Sequence, residues 1–519
     1  MHSFSDKDQQ QIQQRGLTPE IVNIQINNFI NGFPYADLVG PAKVGRAIKS
    51  FDSPKIKELI KSFNQKAPGM KLLKFVPASG AASRMFKDFY TYINAAKDSD
   101  DEPSLIALKE HKSVRKFIEN IDKFPFYTDL SNVISRQGLS IATLLEQHQY
   151  ATIIEYLLTD KGLGYGSKPK ALLKFHQYDD HSRLALEEHL VEGAYYVRNE
   201  DNEVHLHFTV SPEHEQQVKT TITRLLPEYE AFFGVKFHIS YSTQSPATDV
   251  IAVDMNNNPI RQEDGSLLFR PGGHGALIDN LNNLDADLIF IKNIDNVIPD
   301  HLRDTTYIYK KILGSYLIEL QEQTFNYLNQ LSNMPEQVNL EEVRLFIQDH
   351  LGFQFHQEHY DQLRRYEKID ALFDTLNRPI RVCGMVKNQG EPGGGPFCVR
   401  HEDKSISLQI VEKAQVDTKK EDQRNYLESS SHFNPVDIVC SIKDFKGEPF
   451  DLKDFIDIST GIISHKSFNG KPIKAQERPG LWNGAMADWN TAFVEVPIIT
   501  FNPVKTINDL LKKEHQPNT

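Results

Sequence analysis

The residues that could do chemistry fall in a few short stretches. In PASGAASRMFK (residues 77–87), a run of small residues separates the apolar LLKFV from helical spacing that resumes at Ser83. Ala78, Ser79, Gly80, Ala81, Ala82 and Ser83 are small enough for backbone N–H groups to approach a phosphate, and a helix N-terminus there favours an anion. Arg84 and Lys87 add positive charge about one turn apart. Neither GxxxxGK[ST] nor GxGxxG is present, so the turn by itself equally fits a compact strand–helix connection.

Further stretches offer complementary chemistry. In SKPKALLKFH, Lys168 and Lys170 precede an apolar run, where a lysine can reach a strand-end site or stay solvated. In RPGGHGALIDNL, Gly272, Gly273 and Gly275 surround His274 ahead of a helix predicted over 276–281. Glycine permits positive φ and close approach of a planar base or a phosphate. DLIFIKNIDN then reads as a buried strand ending at Asp295. A carboxylate at the carboxyl end of such a strand is placed for a Mg²⁺ ion, and equally for an Asx turn. EPGGGPFCV, IVEKAQVD and HFNPVDIV pair Gly-rich turns with strands and leave Glu412, Asn434 and Asp437 at predicted strand ends. Sugar hydroxyls take such polar partners, although hairpin chemistry explains the same pattern. Near the C-terminus, Lys505 lies in FNPVK, and the only two tryptophans flank Asn483 and Asp488. The remaining histidines form no HExxH motif; the one HxH, HLH at 205–207, reads as structural or solvated.

The elements that must position these groups alternate. Residues 1–66 read as an N-terminal helical region, with IVNIQINNFINGF packed through Ile21, Ile24, Ile26, Phe29 and Ile30. An α/β core is expected over 67–320, interrupted by a charged helical insertion at about 95–160. Helices fill 321–377, and a strand-rich part, 378–519, completes the chain. Strands alternating with helices imply a mostly parallel sheet, whose ligands gather at the carboxyl ends of the strands. The 519 residues carry a net charge of −12, which argues against binding a nucleic-acid backbone. Three scattered cysteines form no disulfide framework or zinc set. With no apolar signal core in MHSFSDKDQQQIQQRG and no membrane-spanning run, a cytoplasmic protein with no membrane partner is expected.

In chain order, these motifs resemble the sugar-nucleotide pyrophosphorylase superfamily, nearest its UDP-glucose and UDP-N-acetylglucosamine pyrophosphorylase branch. PASGAASRM resembles the family's L-x-G-G-x-G-T-R-[LM] loop, KPKALLKF its P-K-x-L strand, and RPGGHGAL its P-x-G-[HN]-G base loop. IKNIDN resembles the N-x-D-N metal-site strand end, GEPGGGPFCV…IVEKAQ the E-x-x-G…V-E-Y-S stretch, HFNPVDI the F-N-x-x-N sugar loop, and FNPVKT the F-x-P-[VL]-K motif. Ala82 stands where a loop glycine is expected, Ser83 replaces Thr, Lys413 replaces Tyr, and Asp437 replaces Asn. The whole chain also resembles the bacterial domain of unknown function 4301 family, which implies no activity.

The resemblance implies a Rossmann-like, GT-A-type nucleotidyltransferase fold: a mixed, mostly parallel sheet flanked by helices, with helical insertions. It implies the reaction NTP + sugar 1-phosphate → NDP-sugar + pyrophosphate, with UTP favoured and Mg²⁺ as cofactor. Arg84, Lys170 and Lys505 would be catalytic. The 78–83 turn with Lys87, and the 272–275 turn, would hold the nucleotide. Glu412, Asn434 and Asp437 would face the sugar. Asp295, with Asp488 as a second acid, would hold the metal. A glycosyltransferase that consumes NDP-sugars and a catalytically silent nucleotide-sugar binding protein are the alternatives.

Overall fold

The computed structural model describes residues 2–80, 82–97, 108, 110–391 and 393–517. The main sheet contains β1 (Ile48–Lys49), β2 (Leu72–Pro77), β3 (Glu203–Thr209), β4 (Lys236–Ser242), β5 (Leu288–Lys292), β6 (Ile380–Lys387), β7 (His432–Ser441) and β8 (Asn490–Glu495). Their spatial order is β1-β8-β6-β7-β5-β2-β3-β4. The sheet is mixed: β5 and β2, β6 and β8, and β8 and β1 pair parallel, whereas β6 and β7 pair antiparallel. Among the described residues, no helix is long and apolar enough to cross a membrane.

The backbone divides into two compact units, neither continuous in sequence. The first comprises Met1–Phe75, Ser242–Ile291 and Lys311–Pro497. Alternate residues of its strands, which are buried on both faces, share one core: Cys383 and Met385 of β6 and Ile438 and Cys440 of β7 pack with Phe75, Ile289, Ile291 and Phe493. The helix Leu277–Asn282 closes this core through Leu277, Ile278 and Leu281.

The second unit comprises Val76–Tyr241, Lys292–Lys310 and Ile498–Thr519. At its centre is the helix Ala185–Tyr196, with every residue buried except Tyr195. Gly193 allows it to lie against β3, since a Cβ there would meet Val204 at 3.1 Å and Leu206 at 3.2 Å. A helix buried all round must satisfy its polar groups internally. Glu192 therefore pairs with Lys292, Glu188 with His176 and Arg183, and Glu187 with Tyr229. The described part of the helical insertion consists mainly of four short helices, Lys112–Glu119, Tyr127–Ser135, Ile141–Glu146 and Tyr150–Leu158. Phe86 and Phe89 join it through rings on Phe117, Phe124, Phe126 and Tyr165.

Several sequence expectations require correction. The N-terminal region is not wholly helical, because Asp37–Pro41 and β1 are strands. In the helix Pro19–Asn31 the buried face is Val22, Gln25, Ile26 and Phe29, while Ile21, Ile24 and Ile30 are exposed. A one-residue shift in phase rotates a helix's buried stripe by about 100°. The KPKALLKF run forms no strand of the main sheet. Lys170–Leu172 is a 3-10 turn, and Lys174–Gln177 pairs only with Ser182–Leu184. Asn434 and Asp437 lie inside β7 rather than at its end, because the antiparallel pairing with β6 continues past a register shift between Gly384 and Val386.

Candidate functional site

In the second unit three predicted residues meet. Lys170 Nζ donates to Asp295 Oδ2 at 2.8 Å, and Lys505 Nζ lies 3.0 Å from the same oxygen and 3.2 Å from Oδ1. Burial pushes the Asp295 carboxyl up, but the two ammonium groups outweigh it and hold the acid below the usual carboxylate range. The side chains of Asp295 and Lys170 are 9% and 12% exposed, whereas that of Lys505 is 58% exposed.

Each member is positioned by a separate piece of chain. Asp295 follows β5 by three residues, in a turn closed by Asn296 N–H on the Asn293 carbonyl. That turn is tied down by His189 Nε2 on the Ile294 carbonyl at 3.2 Å and by Val504 N–H on the Asp295 carbonyl at 3.0 Å. One residue beyond, Asn296 Oδ1 accepts Asn502 N–H at 2.9 Å. Just upstream, Lys292 Nζ and Glu192 Oε1 form a fully buried pair at 2.6 Å. Lys170 is fixed through a second bond, to the Val504 carbonyl at 2.9 Å. Lys505 is presented by a C-terminal segment in which Asp509 Oδ2 accepts the Lys505 and Thr506 N–H groups at 2.9 and 2.7 Å. Asn508 anchors the segment on Ser113, and His515 on His176.

The small-residue turn borders this cluster through its backbone. Lys170 N–H points at the Gly80 carbonyl (3.5 Å) and Ala82 N–H at the Lys168 carbonyl (3.4 Å). Ala78 N–H donates to the Thr209 carbonyl. The expected phosphate donors are thus reduced, because the amides of Ala78 and Ala82 have internal partners. Ala81 lies outside the described residues. Ser79 is half-buried, and Gly80, Ser83, Arg84 and Lys87 are exposed. A 3-10 turn, Ala82–Phe86, precedes the α-helix Lys87–Lys97, so Arg84 and Lys87 are not successive positions of one α-helix. Lys168 lies over the Tyr165 ring, 5.5 Å from its centroid.

With one carboxylate and two ammonium groups, the cluster carries a local charge of about +1. A bare divalent cation is disfavoured there, whereas a phosphate is attracted. The residues would fit Mg²⁺ only alongside phosphate oxygens, with Asp295 as the carboxylate ligand in place of its contact with the exposed Lys505. Mg²⁺ takes one or two carboxylates alongside phosphate oxygens and waters, which suits such a donor set.

In the first unit a polar and aromatic cluster forms around the second glycine turn. Gly272–Gly275 opens a 3-10 turn, with Gly273 at φ +75°. A Cβ on Gly275 would fall 2.1 Å from the Pro479 carbonyl oxygen, so the backbone there approaches more closely than any other residue allows. The His274 ring stacks on Trp482 with centroids 4.2 Å apart. His274 Nδ1 accepts Leu481 N–H at 3.0 Å, leaving the proton of a neutral ring on Nε2, 3.7 Å from Glu412 Oε1. His274 lowers the pKa of Glu412 against the effect of burial, aided by Asn483, whose Nδ2 donates to Oε1 at 2.7 Å. Gly394 borders the same groups: its Cβ position lies 3.6 Å from both Glu412 Cγ and Asn483 Oδ1, and its carbonyl accepts Asn434 N–H.

Asn434 Oδ1 accepts Val436 N–H and supports Val436 at φ +60°, a strained setting for a β-branched residue. Among the described residues, the buried Asn434 Nδ2 and Asn483 Oδ1 have no hydrogen-bond partner. Asp437 is buried within β7 opposite Gly384. Asp488 is exposed, and the charges that act on it are those of Arg378, His401 and Asp457. All three cysteines are unpaired.

Sequence reasoning missed Lys292, Glu192 and His189. The available signals were a lysine ending the apolar run LIFI and acids inside the helix EEHLVEGAYY.

Comparison with solved structures returns sugar-nucleotide enzymes. UDP-N-acetylglucosamine pyrophosphorylase from Trypanosoma brucei, in complex with inhibitor, is 14% identical with a TM-score of 0.48, covering 99% of this chain and 85% of that one. A UDP-glucose pyrophosphorylase variant from Leishmania major, in complex with UDP-glucose, is 12% identical with a TM-score of 0.45, covering 98% and 79%. UDP-glucose phosphorylase from Trypanosoma brucei is 13% identical with a TM-score of 0.46, covering 97% and 77%. No curated protein matches the sequence. Residues 5–516 match the family described as Domain of unknown function (DUF4301), and the chain belongs to that family.

Proposed function

We propose that the chain is a nucleotidyltransferase that joins the nucleotidyl group of an NTP, with UTP favoured, to a sugar 1-phosphate and releases pyrophosphate. The observation that carries this reading is the Lys170–Asp295–Lys505 cluster. Lysines from the segment after the small-residue turn and from the FNPVK segment meet the acid that follows β5. Such a transfer asks for positioning and charge neutralisation more than covalent chemistry. The sugar phosphate is already anionic near neutral pH and needs no general base.

In this reading the phosphate oxygen of the sugar phosphate attacks the α-phosphorus in line. The bond from α-phosphorus to the bridging oxygen breaks, and that oxygen leaves with the pyrophosphate. Lys170, fixed by two hydrogen bonds, neutralises charge near the α-phosphate. Lys505 moves from Asp295 to the acceptor phosphate, and Arg84 with Lys87 steadies the departing phosphates. When bound, Mg²⁺ would supply charge neutralisation on the phosphates, with Asp295 as its protein ligand. The glycine turn at 272–275 takes the base. The part-buried Glu412 and the buried Asn434 and Asn483 offer hydrogen-bonding groups suited to sugar hydroxyls, and Asp437 is proposed as a further sugar-facing group.

Calorimetric titration with UTP, other NTPs and pyrophosphate in the presence of Mg²⁺ tests this assignment. Saturable nucleotide binding that weakens at least tenfold in Lys170→Ala is expected. Equal binding by both proteins would remove Lys170 from the site.

A further inference from the structure

The histidine motif HLH gains partners that its spacing did not reveal. Glu203 and His205 are two residues apart on β3 and so share a face of the strand. His238 lies on β4, the neighbouring strand at the edge of the sheet. The two imidazoles stack with centroids 4.7 Å apart and planes 14° from parallel. Both present Nε2 to the same carboxylate, His238 at 3.1 Å from Glu203 Oε1 and His205 at 3.5 Å from Oε2. One ligand atom from each residue lies within 4.8 Å of the others.

We infer that Glu203, His205 and His238 form a binding site for a borderline transition-metal ion such as Zn²⁺, separate from the lysine–aspartate cluster. Two nitrogens and one carboxylate oxygen are a donor set for zinc, nickel or copper rather than for magnesium, which prefers oxygen alone. In the metal-bound form each imidazole would coordinate through an unprotonated Nε2 and carry its proton on Nδ1. The side chains are 29–43% exposed, so a position remains open for water or an outside ligand. Two of the ligands sit on one strand and the third on its neighbour, so the bound ion clips the edge strand β4 to β3.

The test is titration of the full-length, tag-free protein with Zn²⁺, and with Co²⁺ as a spectroscopic probe. One equivalent of Zn²⁺ is expected to bind the wild type and raise its thermal midpoint, and Co²⁺ is expected to give visible d–d bands. His205→Ala and His238→Ala should each weaken binding at least tenfold while leaving the circular dichroism spectrum unchanged, and Glu203→Gln should weaken it also. Asp295→Asn should bind Zn²⁺ as the wild type does. Failure of the wild type to bind Zn²⁺ saturably, or undiminished binding by His238→Ala, would overturn the site.

Discussion

Lys170 and Asp295, 125 residues apart in the chain, form a mostly buried ion pair at 2.8 Å. The same ammonium group also caps the Val504 carbonyl, next to Lys505. One lysine thus holds both the acid and the segment that delivers the second lysine.

This arrangement separates the two lysines experimentally. Lys170→Ala leaves a buried carboxylate with one exposed partner, so a loss of up to about 3 kcal/mol of stability is expected together with loss of activity. Lys505→Ala removes a 58% exposed side chain and should cost less than about 1 kcal/mol while lowering turnover at least tenfold. Thermal melts alongside kinetics distinguish them; equal destabilisation would contradict the positioning argument.

The pair Lys292–Glu192 fixes the end of β5, three residues before Asp295. Both side chains are buried, so Lys292→Met or Glu192→Gln should each destabilise by about 3–5 kcal/mol, since a charge is left uncompensated. The double replacement should be milder than the sum of the singles, which a double-mutant cycle measures.

Gly480 has no room for a side chain: a Cβ would lie 2.2 Å from His274 Cε1. Gly480→Ala is therefore expected to displace the His274 ring from Trp482, shifting tryptophan emission and weakening nucleotide-sugar binding about tenfold or more. An unchanged emission spectrum with wild-type affinity would detach His274 from ligand binding.

Acid sensitivity should come from histidines before Asp295. Burial lowers the pKa of His515 to about 3, aided by His176 and Lys512, and burial lowers that of His207 to about 4. The unfolded chain protonates these rings near pH 6.5 while the folded chain does not, so stability falls as pH drops below that value. The slope is at most about 1.4 kcal/mol per pH unit for each ring, until pH reaches its folded pKa. Asp295 acts in another window. Its depressed pKa stabilises the fold above about pH 4, and that contribution is lost only in stronger acid. Thermal midpoints measured from pH 7.5 to 4 should decline, and His515→Gln should flatten the decline.

Much of this was legible in the sequence. The apolar runs LLKFV and LIFIK located β2 and β5, and the acid after LIFIK marked Asp295. Less legible was whatever depends on partners distant in the chain. Nothing local shows that Ala82 N–H meets the Lys168 carbonyl, or that β7 continues through Asn434 by way of a register shift. HLH read as structural or solvated because its partner His238 lies on another strand. The buried face of Pro19–Asn31 was misread because Gln25 is buried there by hydrogen bonds to Asp249 and Ile251, which no apolar pattern records.

The most direct test measures pyrophosphate release from a panel of NTPs and sugar 1-phosphates with Mg²⁺, using wild type and Asp295→Asn side by side. The account predicts release by the wild type that requires both substrates, and at least a hundredfold less by the folded variant. Near-normal, Mg²⁺-dependent release by Asp295→Asn, or none by the wild type across the panel, would contradict it.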